Sequence, residues 1–389
     1  MTTSFYELDA PTEWAGAPEL WSSTSLDDVR RCPRRWQLAR SRWGDLERFP
    51  VRSHPAAVEG QLIHEALDRL TRACGRHGNP PIGSPEFASA LTDGEFFEGL
   101  GFAVDAWQRQ VTSHPRPGPV FKLRSTAQEL ANRAIRLFRE QYRPGTGGFG
   151  RAASTAPVKI SDLSRALIQW GALSELRLQH PDLPFMGILD RVQLDSGGAV
   201  EIIDFKTGRA SDAHEQQLLR YAVLWWRATQ TAPARVHAQY LEGSRTWVVT
   251  PSDLARVEAG LGDLLRHFSG QLTGRPAPAT PGTGCRWCPV RARCDAGWGL
   301  AEQAARAEGR GDAELTVVGE VTTHGVLAKD LAGHEVAIVY EPAVASLLPS
   351  LVPGRRMRVL DGVLREKGKE IEIKAWTEVF VLGSFAAGR

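Results

Sequence analysis

Two short stretches, Gly187-Ile188-Leu189-Asp190 and Ile202-Ile203-Asp204-Phe205-Lys206, constrain this chain more than any other feature. Each is an isoleucine-containing apolar run that reaches an acid. The turn signal Asp195-Ser196-Gly197-Gly198 lies between them, so the pair reads as two neighbouring strands. Side chains alternate faces along a strand, so Asp204 and Lys206 share a face and both can meet Asp190 from the adjacent strand. Paired carboxylates are hard oxygen ligands, suited to Mg²⁺ or Mn²⁺ rather than to zinc. A lysine beside them can orient or activate an attacking water, or neutralise a phosphate. An arginine could not act as the base. Only seven of the 47 basic residues are lysine, which gives its use here some weight. An isolated D-x-K is better read as ion pairs of Asp190 with Arg191 and Asp204 with Lys206, because the tripeptide is common. The surrounding chain decides between the two.

Before these strands the sequence is helical. Residues 22–40 read as one helix capped at Ser25, with Asp27 and Asp28 at its positive end and Cys32 within it. A second helix covers roughly 56–73, where Leu62, Ile63, Ala66, Leu67 and Leu70 recur at three- and four-residue spacing and His64 rides along. Helices near 95–112 and 125–142, then the glycine-rich stretch PGTGGFGRAAST, read as a helical insertion (about 75–155) ending in a linker. From 171 the pattern becomes a strand meander, ALSELRLQH, PFMGILDRVQLD and AVEIIDFKTG. The helix HEQQLLRYAVLWWRAT, strands near 234–241 and 245–250, and an amphipathic helix at 251–269 follow. This order predicts an α/β fold, a mixed sheet flanked by helices.

Two further elements flank the acidic strands in the sequence: Gly60-Gln61-Leu62-Ile63-His64 on the earlier helix and Gln217-Leu218-Leu219-Arg220-Tyr221 on the later one. With G-x-x-D at 187–190 and D-x-K at 204–206, the chain resembles the RecB-like branch of the PD-(D/E)XK phosphodiesterases, which is marked by G-x-x-x-H, G-x-x-D, (D/E)-x-K and Q-x-x-x-Y in this order. The resemblance implies a restriction-endonuclease-like core over residues 1–300. His64, Asp190, Asp204 and the carbonyl of Phe205 would hold the metal, and Asp190, Asp204, Lys206, Gln217 and Tyr221 would form the catalytic set. Gln217 and Tyr221 would position the scissile phosphate and the lysine. The long interval between His64 and Asp190 departs from the pattern and leaves the insertion's role open. Glu175 on the preceding strand reads as a surface carboxylate or an extra ligand.

Cys285-x-x-Cys288-x₅-Cys294 places three thiols in a Gly- and Pro-rich loop, with Cys32 about 250 residues upstream. Five cysteines, an odd number, do not suggest a disulfide framework. Spacing alone leaves structural zinc and an iron–sulfur cluster even, since both accept four thiolates. The helix from Leu26 through Cys32-Pro33-Arg34, with three cysteines after the core, resembles the iron–sulfur RecB-like nucleases. Those include the nuclease domain of AddB and the exonucleases associated with CRISPR adaptation. The resemblance implies that Cys32, Cys285, Cys288 and Cys294 hold a mainly structural [4Fe–4S] cluster, with zinc as the alternative. Cys74 matches no family position.

Composition adds exclusions. Hydrophobic residues at 42% and charged residues at 24% are globular usage, and no apolar run approaches the ~20 residues of a membrane span. The acidic N-terminus lacks a secretory pattern, so a cytoplasmic location is expected. The net charge of +2 does not by itself announce a nucleic-acid protein, but RRCPRRWQLARSRWGDLER mixes arginine with tryptophan, and Arg34, Arg35, Trp36 and Tyr221 are candidate DNA contacts. Beyond 312 the chain reads as five short strands and a helix near 342–350, an OB-like β-barrel of residues 312–389. Arg355, Arg356, Arg358, Lys367 and Lys369 would give it charge for a single strand, unless it braces the core or docks a partner. The expected activity is metal-dependent cleavage of single-stranded or free-ended DNA. The alternatives are a non-catalytic scaffold in a helicase–nuclease complex and a CRISPR spacer-processing enzyme. No G-x-x-x-x-G-K-[ST] loop occurs, so unwinding would need a helicase partner.

Overall fold

In the computed structural model, residues 4–8, 10–44, 55–112, 123–144, 160–299, 309–341, 351–374 and 376–382 are described. The chain begins with β1 (Ser4–Leu8), α1 (Ser23–Arg31) and α2 (Pro33–Arg40). The single helix expected over 22–40 is therefore two. Cys32 is extended, with φ −168° and ψ 111°, as the residue before a proline favours, and Pro33 starts the next helix. The cap is Ser22, whose side chain and that of Ser25 bond reciprocally to each other's backbone N–H. Next come α3 (Pro55–Arg76), α4 (Pro85–Leu91), α5 (Gly94–Thr112), α6 (Ala127–Gln141) and α7 (Leu163–Trp170).

The meander follows as β2 (Ala172–Gln179), β3 (Met186–Leu194) and β4 (Val200–Lys206). After it lie α8 (Ala213–Thr229), β5 (Arg235–Tyr240), β6 (Gly243–Val248) and α9 (Pro251–Gln271). The five strands form one sheet in the order β2-β3-β4-β5-β6. Only β4 and β5 are parallel, and that pairing needs the crossover helix α8. Ile202, Val192 and Leu189 pack under α8 and α9 with Leu218, Trp225 and Leu265. Ile203 and Phe205 pack instead with α3, α5 and α6, through Ile63, Leu67, Phe96 and Leu137. The sheet is thus covered on both faces. The helices expected as an insertion share their core with α3, so they form one of the two covering layers. The glycine-rich stretch at 145–155 lies outside the described residues.

The C-terminal region holds β7 (Arg310–Val317), β8 (Gly325–Asp330), β9 (Glu335–Tyr340), β10 (Arg356–Arg365), β11 (Glu370–Ile373) and β12 (Glu378–Leu382). The order β10-β11-β9-β8-β7 closes by β7 pairing back to β10, which makes a five-stranded barrel. β12 pairs with β10, and β1 adds to β12 in parallel, so the sheet recruits the start of the chain. The expected helix at 342–350 lies outside the described residues.

Candidate metal centre

The site stands at the end of β4 and the middle of β3, where the pairing of the two strands stops and α3 and α8 converge. Two glycines permit this. A Cβ on Gly60, one turn before His64, would lie 3.0 Å from Thr207 Oγ1, just past Lys206. A Cβ on Gly187 would lie 2.8 Å from Leu224 Cδ1 and from Tyr221 Cε1. Glycine at these positions lets each helix approach the strands closely enough for its polar side chains to reach their ends.

Asp190 Oδ2 accepts the backbone N–H of Phe205 at 2.7 Å, which replaces a rung of the β3–β4 ladder and pins the carboxylate between the strands. The same oxygen lies 3.3 Å from His64 Nδ1. Asp204 is buried and pairs with the Lys206 ammonium. Lys206 Nζ donates to Gln217 Oε1 at 2.8 Å, and Gln217 Nε2 donates to the Tyr221 hydroxyl at 2.8 Å. Lysine, glutamine and tyrosine thus form one relay, anchored by α8. Glu175 joins from β2: one ligand atom each from His64, Glu175 and Asp190 lies within 4.8 Å of the others. Asp204, turned to Lys206, stands outside that trio.

The electrostatics describe a site with surplus negative charge. Burial opposes charging His64, yet Asp190, Asp204 and Glu175 overcome it and lift its pKa to about 9. Burial, then the charges of Asp190 and Asp68, push Glu175 up to about 7. Asp204 is raised by burial and by Asp190, although Lys206 opposes the shift. Carboxylates that resist ionising together, with an imidazole among them, are a donor set that fits a divalent cation.

The four cysteines also converge. Cys32, Cys285, Cys288 and Cys294 line one cavity of about 270 Å³, with Arg31 and Arg35 at its wall. The backbone N–H groups of Thr280 and Gly282 reach Cys32 Sγ at 3.5 Å and Cys285 Sγ at 3.4 Å. A Cβ on Gly297 would lie 2.9 Å from Cys285 Sγ, so this loop needs glycine there. Burial pushes the Cys288 thiol up to about 11 and raises Cys294. Among the described residues no three of these thiols approach within 4.8 Å of one another. Cys74 is buried elsewhere, in the α3 core.

Two of the four expected DNA contacts, Trp36 and Tyr221, need correction. Trp36 is 4% exposed, stacks on Trp21 with centroids 6.3 Å apart, and carries the Arg40 guanidinium 3.3 Å above its ring. It is core, and no face is left for a base. Tyr221 is 7% exposed and its hydroxyl accepts from Gln217, so it offers no surface to a base. Arg34 Nε donates to the Ala277 carbonyl at 2.8 Å, and Arg35 faces Asp28 at 3.9 Å. In the barrel, Arg358 is buried against Glu314 and the Ala292 carbonyl, and Arg356 also pairs with Glu314. Met357 and Val359 between them face the barrel core, so the two arginines lie on its outer face, where Arg358 reaches the cysteine segment. Sequence reading missed Trp287, 71% exposed in the cysteine loop with the Arg286 guanidinium 4.3 Å from its ring.

A mixed α/β core with carboxylates, imidazole and a lysine relay gathered at one sheet end defines a metal-dependent phosphodiesterase class. The chain belongs to the PD-(D/E)XK nuclease superfamily, whose family model matches residues 20–295. Members are generally metal-dependent nucleases that typically use Mg²⁺ or Mn²⁺, and a nuclease domain implies DNA as substrate. No curated protein matches the chain. Among solved structures it is similar to that of SSO0001, at 13% identity over 62% of this chain and 95% of the other, with a TM-score of 0.25. Among the described residues no helix is long and apolar enough to cross a membrane.

Proposed function

We propose that the chain is a RecB-like DNA nuclease that cleaves single-stranded or free-ended DNA with Mg²⁺ or Mn²⁺, in repair, recombination or defence. The observation that carries this reading is the joining of His64 and Asp190 at one ligand position with the Asp204–Lys206–Gln217–Tyr221 relay beside it. A bound cation supplies Lewis-acid stabilisation of the phosphate. His64, Asp190, Asp204 and the Phe205 carbonyl would hold it. Lys206, fixed by Gln217, presents its ammonium where an attacking water or a phosphate oxygen must sit, and Tyr221 keeps Gln217 in place. An intact relay favours an enzyme over a catalytically silent scaffold, because a scaffold has no use for a half-buried lysine held this way.

Cys32, Cys285, Cys288 and Cys294 would hold a [4Fe–4S] cluster. Zinc bound by four thiolates at ~2.3 Å would draw the sulfurs to roughly 3.8 Å of one another. Each thiolate of a cluster binds a different iron and stands further off. The four thiols line one cavity that either group could occupy, and the resemblance to the iron–sulfur RecB-like nucleases is what favours iron.

The test is anaerobically purified protein on end-labelled single- and double-stranded DNA with Mn²⁺ or Mg²⁺. Lys206→Ala should abolish cleavage with fold and cluster content intact, and retained cleavage would refute the assignment. A colourless protein with stoichiometric zinc would remove the iron.

A further inference from the structure

Four arginines are buried among the described residues, and three of them have partners. Arg291 pairs with Asp312, and Arg358 with Glu314. Arg191 has no carboxylate but donates to Gln193 Oε1 at 2.9 Å and to Thr71 Oγ1 at 3.0 Å, over the Phe138 ring. Arg220 on α8 is 4% exposed and, among the described residues, has no hydrogen bond, ion pair or ring contact. Its nitrogens are not among the sealed polar atoms, so the guanidinium keeps part of that small opening. The group cannot shed its proton, and a buried charge without a partner is strongly unfavourable. Burial lowers its pKa, Asp27 on α1 opposes the shift and Arg30 adds to it. Asp27, the one carboxylate acting on Arg220, is engaged by Arg30 at 3.5 Å.

Arg220 follows Gln217 by one turn of α8 and His214 precedes it by one turn, so the two flank the relay. His214 Nδ1 lies 2.7 Å from the Tyr240 hydroxyl, and Tyr240 is the register partner of Lys206 on β5. Burial, then the charges of Lys206 and Arg245, lower the His214 pKa, while Asp27 opposes. A neutral imidazole that accepts the tyrosine hydroxyl at Nδ1 carries its proton on Nε2, where it can donate. Arg220 and His214 therefore both stand towards Asp27, on two sides of Gln217.

We propose that Arg220 and His214 form a phosphate-binding subsite that takes a phosphate of the DNA strand beside the one being cut. It rests on the nuclease reading of the neighbouring site and deepens it. The missing partner of Arg220 is an anion, because the acids nearby are already engaged: Asp27 with Arg30, and Asp212 with Arg245 at 3.1 Å. A planar guanidinium matches two phosphate oxygens at once, which is why arginine serves such sites better than a point charge. An internal phosphodiester and a terminal phosphate offer the same oxygens, and the position of the effect along a strand separates them.

The experiment uses the full chain and a single-stranded oligonucleotide in which one phosphate at a time is replaced by an uncharged methylphosphonate. Kd is measured without metal ion, and kcat and KM with Mn²⁺. Arg220→Met should raise Kd and KM about tenfold with kcat little changed. It should also flatten the slope of log Kd against log salt by about 0.7, the share of one phosphate on a single strand. Without DNA it should melt at a higher temperature than the wild type, since an unpaired buried charge is gone. One methylphosphonate position beside the cut should weaken binding by the wild type and leave Arg220→Met unaffected. An internal position identifies a phosphodiester, and an effect confined to the strand end identifies a terminal phosphate. If Arg220→Met keeps the wild-type KM and salt slope while cleavage persists, the inference falls and the nuclease reading stands. If the wild type cuts no DNA, both fall. Should Arg220→Met give no soluble protein, His214→Ala should lose its response at the same methylphosphonate position, and a wild-type response by this variant overturns the proposal.

Discussion

Gly187→Ala tests whether the relay depends on close helix–strand contact. The added methyl would stand 2.8 Å from both Leu224 Cδ1 and Tyr221 Cε1, where ordinary contact begins at 3.4 Å, so α8 or the two side chains must retreat by about 0.6 Å. Overpacking of this kind costs ~1–3 kcal/mol. For a unit of this size that lowers the melting temperature by roughly 2–4 °C per kcal/mol. The same displacement stretches the 2.8 Å bond between Gln217 and Tyr221 beyond the ~3.2 Å at which such bonds hold well. Lys206 then loses its fixed partner. Misplacement of a catalytic group by ~1 Å can cost ~100-fold, so kcat should fall about 10- to 100-fold, with Mn²⁺ binding retained. The assay is a double-mutant cycle with Tyr221→Phe, read by cleavage rate and by thermal melting. Tyr221→Phe keeps the ring but breaks the link to Gln217. In that background Gly187→Ala should still cost stability while its kinetic effect shrinks. An equal kinetic loss in both backgrounds would show that the glycine does not act through the relay, and wild-type stability of Gly187→Ala would refute the contact argument itself.

Two further outcomes follow from the same structure. On the proposed cluster reading, Cys288→Ser should abolish visible absorption and destabilise the protein by about 4 kcal/mol or more in chemical denaturation, because loss of a structural metal is among the few changes of that size. Glu258 ties α9 to α8 through two bonds from Arg227, at 2.6 and 2.7 Å, and lies 2.8 Å from His180 Nε2. Burial opposes its charge, yet Arg227 and His180 hold its pKa below the ordinary value. A depressed folded pKa contributes stability above the unfolded value that is lost as pH falls through the folded one. The stability gap between wild type and Glu258→Gln should therefore be full at neutral pH and close on acidification below the usual glutamate range. A gap that persists there in urea titrations would contradict the assignment.

The site residues that lie on regular elements were legible in the sequence. Asp190, Asp204 and Lys206 sit on strands whose alternation is visible, and Gln217 and Tyr221 are one helical turn apart. Glu175 was ambiguous, because its position depends on a left-handed backbone and a missing rung that no periodicity reports. The same limit explains Trp36, Arg356 and Arg358. A tryptophan among arginines and a basic strand look like nucleic-acid surface until tertiary packing supplies Trp21 and Glu314 as partners. The pairing of β1 with β12 joins the two ends of the chain, and the short run Ser4–Leu8 has no local signal for it. Helix α7 was missed because its eight residues offer little more than two turns of pattern.

The cysteine loop ties these parts together, since it faces two ways. On one side its thiols meet Cys32 at the junction of α1 and α2. On the other, Val290, Ala292 and Trp298 share a core with Leu38 and Trp43 of the N-terminal region and with Leu360, Phe380 and Leu382 of the barrel. Buried Arg291 pairs with Asp312 and reaches Asp361 at 3.2 Å, while Arg358 returns from β10 to the Ala292 carbonyl at 2.8 Å. Buried ion pairs are weak sources of net stability, because desolvation offsets their attraction, but breaking one leaves a charge stranded. They therefore fix where the barrel docks more than how firmly. The docking surface is the back of the cysteine-bearing segment, which contributes Val290, Ala292 and Trp298 to the shared core. A group held by the four thiols, as proposed, would brace this segment and with it the barrel's seat on the nuclease core.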